Sequence, residues 1–204
     1  MSDEDIITQR TPAQVIGILG GSFNPVHIGH LMLASYMAQW GYVDSVWLTL
    51  SPRNPLKKNP GELLPDIKRL TMLNLALKGS KKLDICDIEL AMPTPSYTID
   101  TLDLLASRNP DRKFKLIIGS DNWAMFDKWR EGQRILDDYG VIVYPRPGYP
   151  VADAHIDGME VVDAPTVNIS STFIRSAIAK GRDMEYFLPQ GVYKYIIDHK
   201  LYQK

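Results

Sequence analysis

The sequence predicts an α/β fold: one doubly wound parallel sheet with helices on both faces. Short, uninterrupted apolar runs recur along the chain, as in strands buried on both faces. Segments with helical apolar spacing alternate with them, which implies right-handed βαβ units. The chain has 204 residues, 45% of them hydrophobic, enough for one sizeable domain.

Residues 1–13 are polar and read as a flexible arm; the domain is expected over 14–204. Val15-Ile16-Gly17-Ile18-Leu19 is the first strand and ends at Gly20-Gly21. A helix follows from Ile28 to Gln39 or Trp40, with Leu31, Leu33, Ala34, Met37 and Ala38 inward and Gly41 as its stop. Val46 to Leu50 is a strand. Ser51 to Gly61, with three prolines and Lys57-Lys58, is a loop. Asp66 to Leu77 is a helix, Leu83 to Ile85 a brief strand and Ile99 to Ser107 a helix. Phe114 to Ile118 and Val141 to Tyr144 are strands ending at Gly119 and Pro145, and Met159 to Val162 is the last strand. Helices over Ser171 to Lys180 and Tyr186 to Asp198 close the chain. Met32, Met37, Met72, Met125 and the lone Cys86 read as core. Asp87, Asp137-Asp138 and Lys81-Lys82 read as surface charge.

Composition excludes several classes. With 23 Lys+Arg against 24 Asp+Glu, the formal charge of −1 argues against a globally basic nucleic-acid binder. One cysteine can form neither an internal disulfide nor a multi-Cys zinc site. No segment reaches the ~20 apolar residues that span a bilayer. The acidic start, Ser2-Asp3-Glu4-Asp5, is unlike a secretory signal, so the expected location is the cytoplasm, away from membranes.

In a doubly wound sheet, ligands bind outside the carboxyl ends of the strands. The chemically suggestive residues fall there: Gly20 to His30, Ser51 to Lys58, Gly119 to Asp121 and Pro145 to Gly148. The densest string is Gly20-Gly21-Ser22-Phe23-Asn24-Pro25-Val26-His27-Ile28-Gly29-His30. Paired glycines let the backbone turn sharply, and N–H groups at a helix start attract anions. His27 and His30, three apart, share one side of a turn, and Gly29 between them leaves room for a phosphate. Two imidazoles beside such N–H groups suit a phosphoryl transition state. The string is neither a Walker A loop nor G-x-G-x-x-G, and no third ligand makes the histidines a zinc site. Ser170, Ser171 and Thr172 offer hydroxyls at another helix start, with Arg175 one turn on to fork onto a phosphate.

Gly20-Gly21-Ser22-Phe23-Asn24-Pro25…His27-Ile28-Gly29-His30 resembles the H-x-G-H signature of the nucleotidyltransferase superfamily. Ile169-Ser170-Ser171-Thr172-Phe173-Ile174-Arg175, about 140 residues later, resembles its second signature. Within that superfamily the chain is similar to the bacterial nicotinate-nucleotide adenylyltransferases. Pro95-Ser96-Tyr97-Thr98, Ile118-Gly119-Ser120-Asp121, Phe126-Asp127-Lys128-Trp129 and Arg146-Pro147-Gly148-Tyr149-Pro150 carry this finer likeness.

The resemblance implies a Rossmann-like domain that transfers AMP from ATP to nicotinate mononucleotide, releasing pyrophosphate, with Mg²⁺ travelling on ATP rather than in a protein metal site. It assigns His27, His30, Lys57 and Arg175 to catalysis. Gly20, Gly21, Ser22, Phe23, Gly29, Gly119, Asp121, Arg146, Ile169, Ser170 and Thr172 fall to ATP. Asn24, Tyr97, Thr98 and Trp129 fall to the acceptor, with Trp129 stacked on the pyridine ring. The family often has a His just before the basic residue of the Ser51–Lys58 loop; Leu56 stands there in this chain. The resemblance leaves room for a homodimer. Three alternatives remain: a nicotinamide-mononucleotide acceptor, a phosphopantetheine acceptor, and a nucleotide-binding regulator without turnover. The phosphopantetheine enzymes carry T-x-G-H, which His27 does not match.

Overall fold

The structure is a computed structural model describing residues 13–52, 63–151 and 155–203. Its six strands are β1 (Gln14–Gly21), β2 (Ser45–Leu50), β3 (Leu83–Cys86), β4 (Arg112–Gly119), β5 (Val141–Tyr144) and β6 (Met159–Val161). They form one all-parallel sheet in the order β3-β2-β1-β4-β5-β6. The helices are α1 (Ile28–Gln39), α2 (Asp66–Leu77), α3 (Thr98–Arg108), α4 (Ser120–Trp123), α5 (Gly132–Asp138), α6 (Ser171–Ala179) and α7 (Gln190–Asp198).

Alternation of side chains explains the apolar runs. Ile16 and Ile18 of β1, Leu116 and Ile118 of β4, and Val141 and Val143 of β5 face one core with α3 and α5. Leu19, Ile117 and Ile142 face the other, with α1, α2, α6 and α7. Both faces are therefore apolar, as a doubly wound parallel sheet requires. Cys86 is buried, as expected of a small apolar side chain, and burial raises its thiol pKa.

The expected boundaries hold to within a few residues, with one larger difference. The last helix begins at Gln190, not Tyr186. Pro189 sets its start, and Tyr186 lies in a separate 3-10 turn, almost wholly exposed. The short helices α4 and α5 are not legible from apolar period, since neither completes two turns with a continuous stripe. Met32 and Met125, expected in the core, are exposed. Met32 lies off the Leu33-Ala34-Met37-Ala38 stripe, and Met125 lies between α4 and the next turn. Lys82, expected as surface charge, donates to the Ala38 carbonyl at 2.8 Å. Among the described residues no helix is long and apolar enough to cross a membrane. The expected arm and Lys57 lie outside the described residues, apart from Ala13.

Candidate active site

The strand order reverses between β1 and β4, and a crevice opens at their carboxyl ends. Gly20-Gly21 ends β1 at this point. A Cβ on Gly20 would meet nothing, so the strand end is open to a ligand; one on Gly21 would press on the Phe23 ring at 3.0 Å. Phe23 is buried with a left-handed φ of 42°, which bends the chain between strand and helix.

Beneath this loop lies a group the sequence reading missed. Arg69 of α2 is wholly buried. Its Nη1 donates to the carbonyls of Ser22 (2.6 Å) and Ser51 (2.9 Å), and its Nε to that of Leu64 (3.0 Å). Asp66 pairs with its Nη2. The guanidinium thus joins the loops that follow β1 and β2. A signal was present: Arg69 sits on the same helical stripe as Met72, Leu73 and Leu77. An arginine there is either misplaced or holding something.

His27 caps α1 and His30 is its third residue. The rings stack with centroids 3.7 Å apart, and the Phe23 ring edge packs on His30. His30 Nδ1 accepts from the His27 backbone N–H at 3.2 Å, which fixes the His30 ring. His27 is 5% exposed. Burial, and then the Arg146 guanidinium, lower its pKa to about 4. At neutral pH it is therefore a neutral hydrogen-bonding imidazole rather than a cation. Its Nδ1 is buried without a hydrogen-bond partner among the described residues. The space beside Gly29, expected for a phosphate, is taken by the His27 ring, 3.1 Å from where a Cβ would sit.

Ser170 caps α6 by accepting from the Phe173 N–H at 3.1 Å. Ser171 donates to the Pro25 carbonyl at 2.9 Å. Arg175 reaches back to the Asn24 carbonyl at 3.0 Å and to Thr172 Oγ1 at 3.4 Å. The two signatures, far apart in sequence, are one construction in space. On the β4 side, Arg146 Nε stands 3.7 Å from Asp121 Oδ1. A Cβ on Gly119 would collide with that carboxylate and with the Arg146 stem.

These residues line two cavities. One, of about 690 Å³, is lined by Gly20 to Asn24, His27, Gly29, His30, Asp121, Arg146, Ile169, Ser170, Thr172 and Arg175. The other, of about 210 Å³, is lined by Tyr97, Thr98, Gly119, Trp129 and again Gly20, Gly21 and Ser22. They share the glycine loop, together with Leu19, Asn122 and Tyr144. Asn24, expected at the acceptor, lines only the first. Its side-chain oxygen accepts from Tyr202 at 2.7 Å and from the Leu64 N–H at 3.5 Å, which turns it toward the protein body. Among the described residues no three His, Cys, Asp or Glu side chains converge on a point.

The cytidylyltransferase-like family matches residues 18–177, a span that contains both signatures and both cavity walls. The chain belongs to this family. It is similar to the probable nicotinate-nucleotide adenylyltransferase of Bacteroides fragilis (strain YCH46), 48% identical over 182 residues, 89% of this chain and 90% of that protein. The like-named protein of Azobacteroides pseudotrichonymphae genomovar. CFP2 is 44% identical, covering 90% of this chain and 97% of that one. In fold it resembles the Plasmodium falciparum nicotinic acid mononucleotide adenylyltransferase complexed with NaAD. That match has a TM-score of 0.75, 21% identity, and 93% and 97% coverage of the two chains.

Proposed function

We propose that this family member transfers the adenylyl group of ATP to nicotinate mononucleotide in NAD biosynthesis. The observation that carries the reading is the pair of cavities joined at Gly20-Gly21-Ser22. One is lined by imidazoles and guanidinium groups, the other by Tyr97 and Trp129. An adenylyltransferase needs a seat for a triphosphate and a seat for an aromatic acceptor, meeting where the phosphates react.

A phosphate oxygen of the mononucleotide attacks the α-phosphorus of ATP. The bond from that phosphorus to the α,β-bridging oxygen breaks, and its electron pair leaves on pyrophosphate. The nucleophile is already an anion at neutral pH, so no general base or covalent intermediate is required. The protein's part is to align two anions and stabilise the charge that develops. His30 and the neutral His27 offer N–H donors to the phosphates, and the glycine loop and the start of α1 offer backbone N–H groups. Arg175, held by Asn24 and Thr172, forks onto the leaving phosphates, with Lys57 as a second cation. Ser170 and Thr172 place hydroxyls at the same cavity. Asp121 and Arg146 lie toward the nucleoside. Mg²⁺ enters on the nucleotide, as MgATP, held by phosphates and water.

The test is pyrophosphate release with MgATP and a panel of acceptors: nicotinate mononucleotide, nicotinamide mononucleotide and phosphopantetheine. Rapid release with the first alone is expected. Release with another acceptor alone, or none with any, overturns the reading.

A further inference from the structure

One buried carboxylate in the smaller cavity is not used by the chemistry above. Glu89 lies in the 3-10 turn Ile88–Ala91, just past the carboxyl end of β3, and is 8% exposed. It forms no ion pair among the described residues. Its partners are hydroxyls: Oε2 accepts from Ser96 Oγ at 3.2 Å and Oε1 from Thr101 Oγ1 at 3.1 Å. Burial nonetheless keeps its pKa above the usual carboxylate range. A carboxyl group in such a place is costly to desolvate, and an apolar side chain would fill it more cheaply.

Position explains what the carboxylate does. Ser96 precedes Tyr97, and Thr101 is one turn into α3. The two oxygens therefore grip the chain on either side of Tyr97 and Thr98. The Thr101 N–H also donates to the Tyr97 carbonyl at 3.1 Å. Glu89, Ser96, Tyr97, Thr98 and Thr101 all line the same cavity.

We propose that Glu89 is a positioning residue for the acceptor: its carboxylate clamps the Ser96–Thr101 turn so that Tyr97 and Thr98 keep the shape of the acceptor seat. This rests on the acceptor reading given above. The clamp does not reach the triphosphate cavity, which Glu89 does not line. Its loss should therefore fall on one substrate.

The experiment compares Glu89→Ala and Glu89→Gln with the unaltered protein in steady-state kinetics, and in hydrogen–deuterium exchange of residues 97–105. Loss of a charge-assisted pair of hydrogen bonds should raise KM for nicotinate mononucleotide about 10-fold or more in Glu89→Ala, with KM for ATP within about 2-fold. Glu89→Gln, whose amide oxygen still accepts one hydroxyl, should recover part of this. Exchange at the Thr101 amide should quicken in Glu89→Ala. Unchanged acceptor KM, or both KM values rising together, overturns the clamp; so does unchanged exchange. If Glu89→Ala does not fold, Glu89→Gln must still show the selective rise in acceptor KM. If the unaltered protein releases no pyrophosphate with nicotinate mononucleotide, the functional reading falls, and exchange alone decides the clamp.

Discussion

The imidazoles of His27 and His30 lie face to face, with centroids 3.7 Å apart and planes inclined by 26°. Two stacked cations would repel, and burial beside Arg146 removes the charge from His27. Its imidazole signals should titrate by NMR with a midpoint near 4; a midpoint near 6.5 contradicts the geometry. Stability follows. Below the unfolded value of 6.5 the unfolded chain takes up a proton at His27 that the folded chain refuses until pH nears 4. Stability therefore falls as pH drops through that window, by about 2 kcal/mol between pH 7 and pH 5. Glu89 has the opposite sign, since its pKa is raised on folding. Urea unfolding of His27→Asn beside the unaltered protein isolates the His27 part. Equal pH slopes would contradict it.

His30 lines the larger cavity, with its Nδ1 engaged by the His27 backbone N–H. His30→Ala should lower kcat by about 10²–10³, the scale of losing one preorganised donor, with melting temperature little changed. Near-normal turnover in a folded variant removes His30 from the reacting centre.

The Asn24 carbonyl and Thr172 help to aim Arg175. Lysine can replace its charge but not its planar fork. Arg175→Lys should therefore recover only part of the activity lost in Arg175→Ala, and most of the deficit should lie in KM for ATP. Full rescue by lysine would mean that charge alone matters there.

Arg69 makes three hydrogen bonds to carbonyls of three separate segments. Arg69→Met fills the volume but strands those carbonyls, at about 1–3 kcal/mol for each buried group left unpaired. We expect a loss of at least about 3 kcal/mol in urea unfolding, and impaired turnover wherever the variant stays folded. A loss under 1 kcal/mol would show that the loops hold themselves.

The legible and illegible parts of this molecule divide on physical grounds. Strands β1, β2, β4 and β5 could be read because burial on both faces forces uninterrupted apolar runs. The signature residues could be read because glycine, imidazole and hydroxyl cluster where a phosphate must approach. Glu89 had no such signal, and Arg69 had only its place on the apolar stripe of α2: a single charged letter reads as surface until the fold shows it wholly or nearly buried. Asn24, expected at the acceptor, lines the larger cavity, and sequence order says nothing of the Tyr202 hydroxyl that holds its side chain. That His27 is the more buried of the two imidazoles, beside Arg146, is legible only in the fold.

The acceptor carries the last prediction. Nicotinate and nicotinamide mononucleotides differ only in carboxylate against amide. The smaller cavity is lined by Tyr97, Thr98 and Trp129, and the indole Nε1–H of Trp129 is buried without a partner among the described residues. A site of N–H donors suits a carboxylate, which only accepts. An amide would turn its own N–H₂ toward some of those donors and leave them unpaired, at about 1–3 kcal/mol for each. Arg130 stacks over the Tyr97 ring at 5.0 Å while paired to Asp100, so its charge is largely answered there; Lys128 lines the cavity as a further cation. The ratio of kcat/KM for the acid over the amide, at fixed MgATP, should be about 10² or more, and sites committed to hydrogen bonding reach about 10⁴. A ratio near one would defeat the choice of acceptor while leaving adenylyl transfer standing. Trp129→Ala should raise KM for the mononucleotide well above any change for ATP, since the indole lines only the smaller cavity. The reverse pattern would make Trp129 a packing residue over Phe126, which its ring touches at a centroid distance of 5.3 Å.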